Sequence, residues 1–212
     1  PGKFADTRNT DKVNSFFDVE SLEENSNIIA SFPLETVDNL CSKFNVLGYT
    51  WLVFSLEFGP RNKTIEWVNS IVDKHPNAKI IINTHAYLYE DSTWQDEEDW
   101  WQPQAYGVGK STGEEAVNNG KQLWDKLIKK HPNIMMVFSG HVLKSGVGTL
   151  VSTGDHNNKV YQMLANYQKG VNNSKNGGDG YLRIIRVDRN KSEISVKTYS
   201  PWLNKYKNDS EH

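Results

Sequence analysis

The chain has 212 residues, with 24 Lys and Arg against 26 Asp and Glu and a formal net charge of −2. That length supports one substantial core, and the balanced charge excludes the basic stripe that a nucleic-acid-binding surface would show. No apolar stretch is long enough to span a bilayer, and the single cysteine, Cys41, excludes an internal disulfide framework and any thiolate-rich metal site, which leaves nitrogen and oxygen as ligands.

The chain reads as a single domain over 1–212. Its opening, PGKFADTRNT, has neither an initiating Met nor the apolar core of a signal peptide, so the start of the gene product is expected upstream. Residues 1–44 are polar, with isolated aromatics such as Phe16 and Phe17 and no sustained period, and read as an irregular covering segment. From Tyr49, YTWLVFSLEF is a nearly continuous apolar run, expected for a strand buried on both faces and ended by Gly59-Pro60. Ile65, Val68, Ile71 and Val72 recur at helical spacing from Thr64 to about Lys74, and Pro76 forbids a longer helix. KIIIN follows as a second strand.

The segment from 89 to 112 is a long insertion with three tryptophans, Trp94, Trp100 and Trp101, and a concentration of acids, the composition of a cover or recognition surface. Val117, Leu123, Trp124, Leu127 and Ile128 then mark a second amphipathic helix, closed by Lys129, Lys130, His131 and Pro132, before the strand IMMVFS. The order is β-α-β-α-β, which favours a mainly parallel sheet that delivers its strand ends to one edge. After His141, GVGTLVSTGD, KVYQMLANY, GYLRIIRVD and EISVKTYS read as short antiparallel strands between Gly, Asn and Asp turns.

Two stretches repeat one design: KHPNAKIIINTH and KHPNIMMVFSGH each carry a histidine ten residues after the first. KHPN is the cationic helix end and turn, which makes His75 and His131 surface capping residues. The apolar run is the strand, and His85 and His141 stand just past its carboxyl end, where open α/β sheets bind ligands. GVGKST is not a phosphate loop, because Gln104 stands where its first glycine belongs and no buried strand precedes it. The run Asn176-Gly177-Gly178-Asp179-Gly180 reads as a turn.

Imidazoles at equivalent strand ends suit Mn, Fe or Zn. Asp155 and His156, in STGDHNN, offer a further carboxylate and imidazole, in a loop that reads equally well as a turn satisfying its own backbone. Sequons begin at Asn62, Asn172, Asn190 and Asn208, compatible with a secreted or extracellular glycoprotein, although an Asn-rich chain also makes such triplets by chance.

LVFSLEFGPR, IINTHAYL, VFSGHVL, STGDHNNKVYQMLANYQ and GGDGYLRIIRVD together resemble the second half of a calcineurin-like metallophosphoesterase, and particularly an exported bacterial-type branch, over about residues 45–200. The resemblance implies the C-terminal part of a layered α/β/β/α sandwich, with a parallel β-α-β-α-β unit followed by antiparallel strands. It also implies two divalent metal ions at the strand ends, bridged by a carboxylate, and a metal-activated water that attacks a phosphoester. His85 in NTH is similar to the isolated histidine ligand, and His141 in SGH to the first histidine of the GHxH motif. Leu143 stands where the second histidine belongs, and His156 or Asp155 is expected to compensate.

The family's DxH, GDxx and GNH(D/E) motifs have no usable counterpart. Asp73-Lys74-His75 spells DxH but closes a helix, and the Gly-Asp pairs at Asp155 and Asp179 come too late in the chain. The resemblance therefore implies the C-terminal part of an enzyme that hydrolyses phosphate mono- or diesters, completed by a missing N-terminal half or another chain and inactive alone. The alternative is a catalytically inactive scaffold for binding or assembly that uses the Trp94, Trp100 and Trp101 loop as a contact surface.

Overall fold

The computed structural model describes residues 9–17, 19–188 and 190–208. Residues 1–8 of the expected covering segment, and Ser210 of the last sequon, lie outside them. The elements run α1 (Asp11–Asn14), α2 (Val19–Ser26), β1 (Ile28–Ser31), β2 (Leu40–Val46), β3 (Tyr49–Ser55), α3 (Asn62–Lys74), β4 (Lys79–Asn83), α4 (Gly120–Lys126), β5 (Ile134–Ser139), β6 (Val147–Thr153), β7 (Lys159–Ala165), β8 (Leu182–Asp188), β9 (Glu193–Ser200) and β10 (Lys205–Tyr206). The class is mixed α/β. A seven-stranded sheet has the order β1-β2-β3-β4-β5-β7-β6, and a three-stranded sheet the order β10-β9-β8. Neighbours β3-β4, β4-β5 and β5-β7 are parallel, and β1, β2 and β6 join antiparallel at the flanks.

Residues 9–44 are more ordered than the irregular covering segment expected for 1–44, since they include two helices, β1 and most of β2. The polar residues Ser42, Lys43 and Asn45 conceal β2, but a tight turn makes it form. Leu47 (φ 51°) and Gly48 (φ 77°) are both left-handed, the geometry that matches the twist of a two-residue hairpin. The pairing follows directly, with Val46 opposite Tyr49 and Phe44 opposite Trp51, whose rings stack with centroids 6.2 Å apart.

The second expected helix is shorter than its apolar period, because Asn119 caps it at Gly120. The Asn119 side chain accepts from Gln122 N at 3.0 Å, and Gln122 Oε1 accepts from Asn119 N at 3.0 Å, a complete capping box. Gly120 is required by close approach: a Cβ there would stand 1.8 Å from the Tyr87 carbonyl oxygen.

One face of the large sheet is fully covered. Leu52, Phe54, Ile80 and Ile82 from β3 and β4 share a core with Ile65, Val68, Ile71 and Val72 of α3 and with Leu123, Trp124 and Leu127 around α4. Cys41 is buried on this side, and burial pushes its thiol pKa up to about 12, which opposes pairing with another chain.

The other face corrects the expectation that β3 is buried on both sides. Its buried residues alternate, with Leu52 and Phe54 inside and Trp51 and Val53 only half-buried. This second face meets β8 and β9 across a groove of about 770 Å³, lined by residues that include Phe44, Trp51, Ile81, Phe138, Tyr161 and Ile185. No helix among the described residues is long and apolar enough to cross a membrane.

Candidate functional site

Parallel pairing brings His85 and His141 together. Asn83 is in register with Phe138, so ladder partners differ by 55 positions (138 − 83), while the two histidines differ by 56 (141 − 85). His141 therefore lies one residue beyond the ladder partner of His85, which is Gly140. The backbone closes the gap: Gly140 N donates to His85 O at 3.0 Å, and His141 turns back with φ 71°. A left-handed non-glycine backbone costs about 1–2 kcal/mol, a strain typical of sites that must aim a side chain. Val142 N donates to Gly140 O at 2.8 Å and Asn166 Nδ2 to Val142 O at 3.0 Å, holding the turn.

The result is a direct contact between His141 Nδ1 and His85 Nε2 at 2.9 Å. Phe58, from the chain after β3, packs on both rings, with centroids 5.3 Å from His85 and 5.0 Å from His141. Tyr106, on a short 3-10 turn at Pro103–Tyr106, stands 5.2 Å from His141 and 5.4 Å from Phe58. The insertion thus reaches the histidine pair through Tyr106.

Electrostatics follows from this packing. Burial, helped by the proximity of His85 and opposed by the Trp101 backbone, lowers the His141 pKa to about 4. His85 keeps a solvent-exposed edge, and burial of its inner side lowers its pKa as well. The pair is therefore neutral at pH 7, the protonation state a metal ligand needs. His141 Nε2 is buried and makes no hydrogen bond of acceptable geometry.

Phe58 is held in place by its neighbour. Glu57 accepts from Arg61 N, Nε and Nη2 at 3.1, 3.0 and 2.9 Å and from Thr64 Oγ1 at 2.6 Å, while Arg61 Nη1 reaches Glu115 at 2.9 Å. This nearly buried ion pair fixes the Gly59-Pro60 turn between β3 and α3.

His156 and Asp155 are elsewhere. They sit in the β6–β7 hairpin, at the edge where β7 begins, whereas His85 and His141 sit where β4 and β5 end. His156 Nε2 lies 3.0 Å from the Lys130 carbonyl, and Asp155 N donates to the Lys129 carbonyl at 2.8 Å. The expected compensation for Leu143 is not made by these residues, because an antiparallel hairpin returned their loop to the opposite edge. Leu143 itself faces Gly170, whose Cβ position lies 3.3 Å from it. Among the described residues no three His, Cys, Asp or Glu side chains converge on one point.

His75 caps α3, as expected. His131 closes the turn after α4 but is not a surface residue: its side chain is 12% exposed and Nε2 contacts Asn69 Oδ1 at 2.7 Å. Within the insertion, Trp94 is structural, stacking on Trp124 at 4.8 Å and donating to Gln162 Oε1 at 2.7 Å, an acceptor that also receives the Tyr87 hydroxyl. Trp101 leans on Tyr89, and of the three tryptophans Trp100 alone is open, at 63% exposure. Asn172, Asn190 and Asn208 are exposed. Asn62 instead donates to the Gly113 carbonyl at 2.8 Å and accepts from Lys126 Nζ at 2.9 Å, and its sequon Thr64 is buried.

Phe58 and Tyr106 had no signal in the sequence as partners of the histidines. Only the LEFGPR turn and the insertion pointed at their neighbourhoods.

No family model matches the chain. It is similar to the uncharacterized protein YvnB of Bacillus subtilis (strain 168), at 28% identity over 160 residues, covering 74% of this chain and 10% of YvnB. The chain thus spans about a tenth of the length of that relative.

Proposed function

We propose that the chain is the C-terminal part of a metal-dependent phosphoesterase of the calcineurin-like type, exported from the cell, and that His85 and His141 are ligands to one of two divalent ions, Mn, Fe or Zn. The observation that carries this reading is the convergence of His85 Nε2 and His141 Nδ1 at 2.9 Å on the carboxyl edge of a parallel sheet. Two nitrogens that each bind an octahedral ion at about 2.1 Å lie about 3 Å apart when adjacent. The imidazoles thus fit one edge of a coordination sphere, and their low pKa values keep them available to a cation. They do not fit a complete site, so the remaining ligands, including a bridging carboxylate, come from polypeptide outside the described residues.

When bound, a divalent ion supplies a water of lowered pKa and neutralises charge on a phosphoryl oxygen. This chain's own part is to aim the two imidazoles, through the His141 turn and the Gly140–His85 bond, and to cover them with Phe58 and Tyr106. A phosphate mono- or diester is the substrate class.

A second reading is supported by the lack of a third converging ligand among the described residues and by Leu143. In that reading the pair is a histidine–histidine hydrogen bond in an inactive scaffold. The experiment that separates them is hydrolysis of bis-p-nitrophenyl phosphate and p-nitrophenyl phosphate by the native gene product, with and without added Mn²⁺. A Mn²⁺-dependent rate that falls at least 100-fold in His85→Ala and in His141→Ala supports the enzyme. Absence of any metal-dependent rate in the folded native protein supports the scaffold.

A further inference from the structure

We propose that the insertion makes the histidine site select phosphodiesters with an aromatic or apolar second ester group over phosphomonoesters, and that Tyr106 is the residue of the insertion that contacts the substrate. This rests on the metal-dependent reading of His85 and His141 and narrows its substrate class.

Tyr106 is held from both sides. Pro103 packs on Gly59, the residue after Phe58, so closely that a Cβ on Gly59 would stand 2.5 Å from the Pro103 Cβ. Gln104 Nε2 donates to the Val117 carbonyl at 3.1 Å and to Gln122 Oε1 at 2.9 Å, which ties the same turn to the cap of α4. Gly107, with φ 68°, closes the turn by donating to the Gln104 carbonyl at 3.2 Å. The Tyr106 ring is therefore fixed beside His141 and Phe58, a preorganised wall of the site. Burial raises its pKa, so the phenol stays a neutral donor, and among the described residues its hydroxyl has no hydrogen-bond partner. Two aromatic rings with one unmet donor suit an ester whose phosphoryl oxygen accepts from the phenol while an aromatic or aliphatic substituent lies on the rings.

The cations that neighbour the site in the chain are already engaged. Arg61, three residues after Phe58, is paired with Glu57 and Glu115. Lys144, three residues after His141, is paired with Glu90 and lies over the Tyr89 ring. Neither is free to meet the second negative charge that a phosphomonoester carries near neutral pH and a diester lacks.

The field of the insertion has the same consequence. The Trp101 backbone lies against His141, and Asp99 is two residues before Trp101, a span of at most about 7 Å. Asp99 belongs to an acidic set with Glu90, Asp91, Asp96, Glu97 and Glu98. Burial, and then the charges of Asp96 and Asp91, raise the Asp99 pKa, which places these carboxylates close to one another. Within the screening distance of about 8 Å in physiological salt, such a field opposes a dianion more than a monoanion.

The test uses the native gene product loaded with Mn²⁺ and titrated at about pH 8 with diphenyl phosphate and with phenyl phosphate in a calorimeter, alongside hydrolysis of bis-p-nitrophenyl phosphate and p-nitrophenyl phosphate. Diphenyl phosphate should bind about 10-fold more tightly than phenyl phosphate, and kcat/KM should favour the diester by about 30-fold or more. Tyr106→Ala should cut diphenyl phosphate affinity about 10-fold with Mn²⁺ affinity unchanged. Asp99→Asn, which removes charge and keeps size, should tighten phenyl phosphate about 3-fold and leave diphenyl phosphate nearly unchanged. Equal or tighter binding of phenyl phosphate, or wild-type diphenyl phosphate affinity in Tyr106→Ala, overturns the selection. Mn²⁺ binding that is lost in His85→Ala shows the metal reading intact when the selection alone fails, and a native product that binds no Mn²⁺ overturns both.

Discussion

At His141 a strained backbone and an altered protonation state occur in one residue. An unfolded histidine titrates near pH 6.5, whereas His141 in the fold titrates near 4. Between those values the unfolded chain binds more protons, so stability rises with pH across this window. For the metal-free protein the contribution is complete above about pH 6.5 and is lost as pH falls toward 4. Denaturation midpoints at pH 7.5 and 5.0 test this: the wild type should lose more stability on acidification than His141→Gln, and parallel losses would show that the ring is not held neutral. Glu57 gives a second prediction. Its side chain and that of Arg61 are 9% and 11% exposed, and removing one member of a buried pair costs about 3–5 kcal/mol. Glu57→Ala should lower unfolding free energy by about 3 kcal/mol in urea titration, while Glu114→Ala, at an exposed position, should leave it nearly unchanged.

At the scale of elements, the connection between β4 and α4 depends on very close packing. Because a Cβ at Gly120 would collide with the Tyr87 carbonyl, Gly120→Ala should destabilise by about 3 kcal/mol or more, measurable as a fall in thermal midpoint. Trp94→Phe keeps an aromatic ring against Trp124 but deletes the donor to Gln162, and should cost about 1–2 kcal/mol. A neutral result for Trp94→Phe would mean that stacking alone anchors the insertion. The β-α-β-α-β unit was legible in the residues because its strands are short apolar runs and its helices carry a clear apolar period between proline and glycine stops. β2 was hidden, since Ser42, Lys43 and Asn45 interrupt its pattern and only the turn at Leu47 and Gly48 forces it to pair. The fate of His156 was not legible, because the edge at which a hairpin loop emerges depends on strand direction, which the local residues of STGDHNN do not encode. Likewise Phe58 and Tyr106 approach the histidines from positions 27 before His85 and 35 before His141 (85 − 58 and 141 − 106), where no short-range pattern links them.

For the molecule as a whole, the two faces of the large sheet differ in kind. One is sealed by α3 and α4, and the other carries half-exposed aromatic and aliphatic side chains, including Phe44 at 39% and Val46 at 45% exposure. Contiguous apolar surface of this kind drives association. The 212-residue chain should therefore bind anilinonaphthalene sulfonate in its folded state and self-associate with rising concentration in sedimentation velocity. The double variant Val46→Lys and Leu47→Lys should reduce both effects without lowering the thermal midpoint. A monomer that binds no dye would show that this face is adequately covered by β8 and β9.

The bond from Gly140 N to His85 O separates two kinds of length in this protein. It ties the ends of adjacent strands to one another directly, so the distance between the histidines is indifferent to how much chain runs between Leu88 and Asn118. Natural or engineered insertions and deletions there that spare the Trp94 anchor should leave the pair intact and alter what overlies it. A single residue added between Pro132 and Gly140 would do the opposite, carrying His141 out of reach while the rest of the fold persisted. The ten-residue interval within each KHPN unit is a fixed measure, and the interval between the units is free to vary.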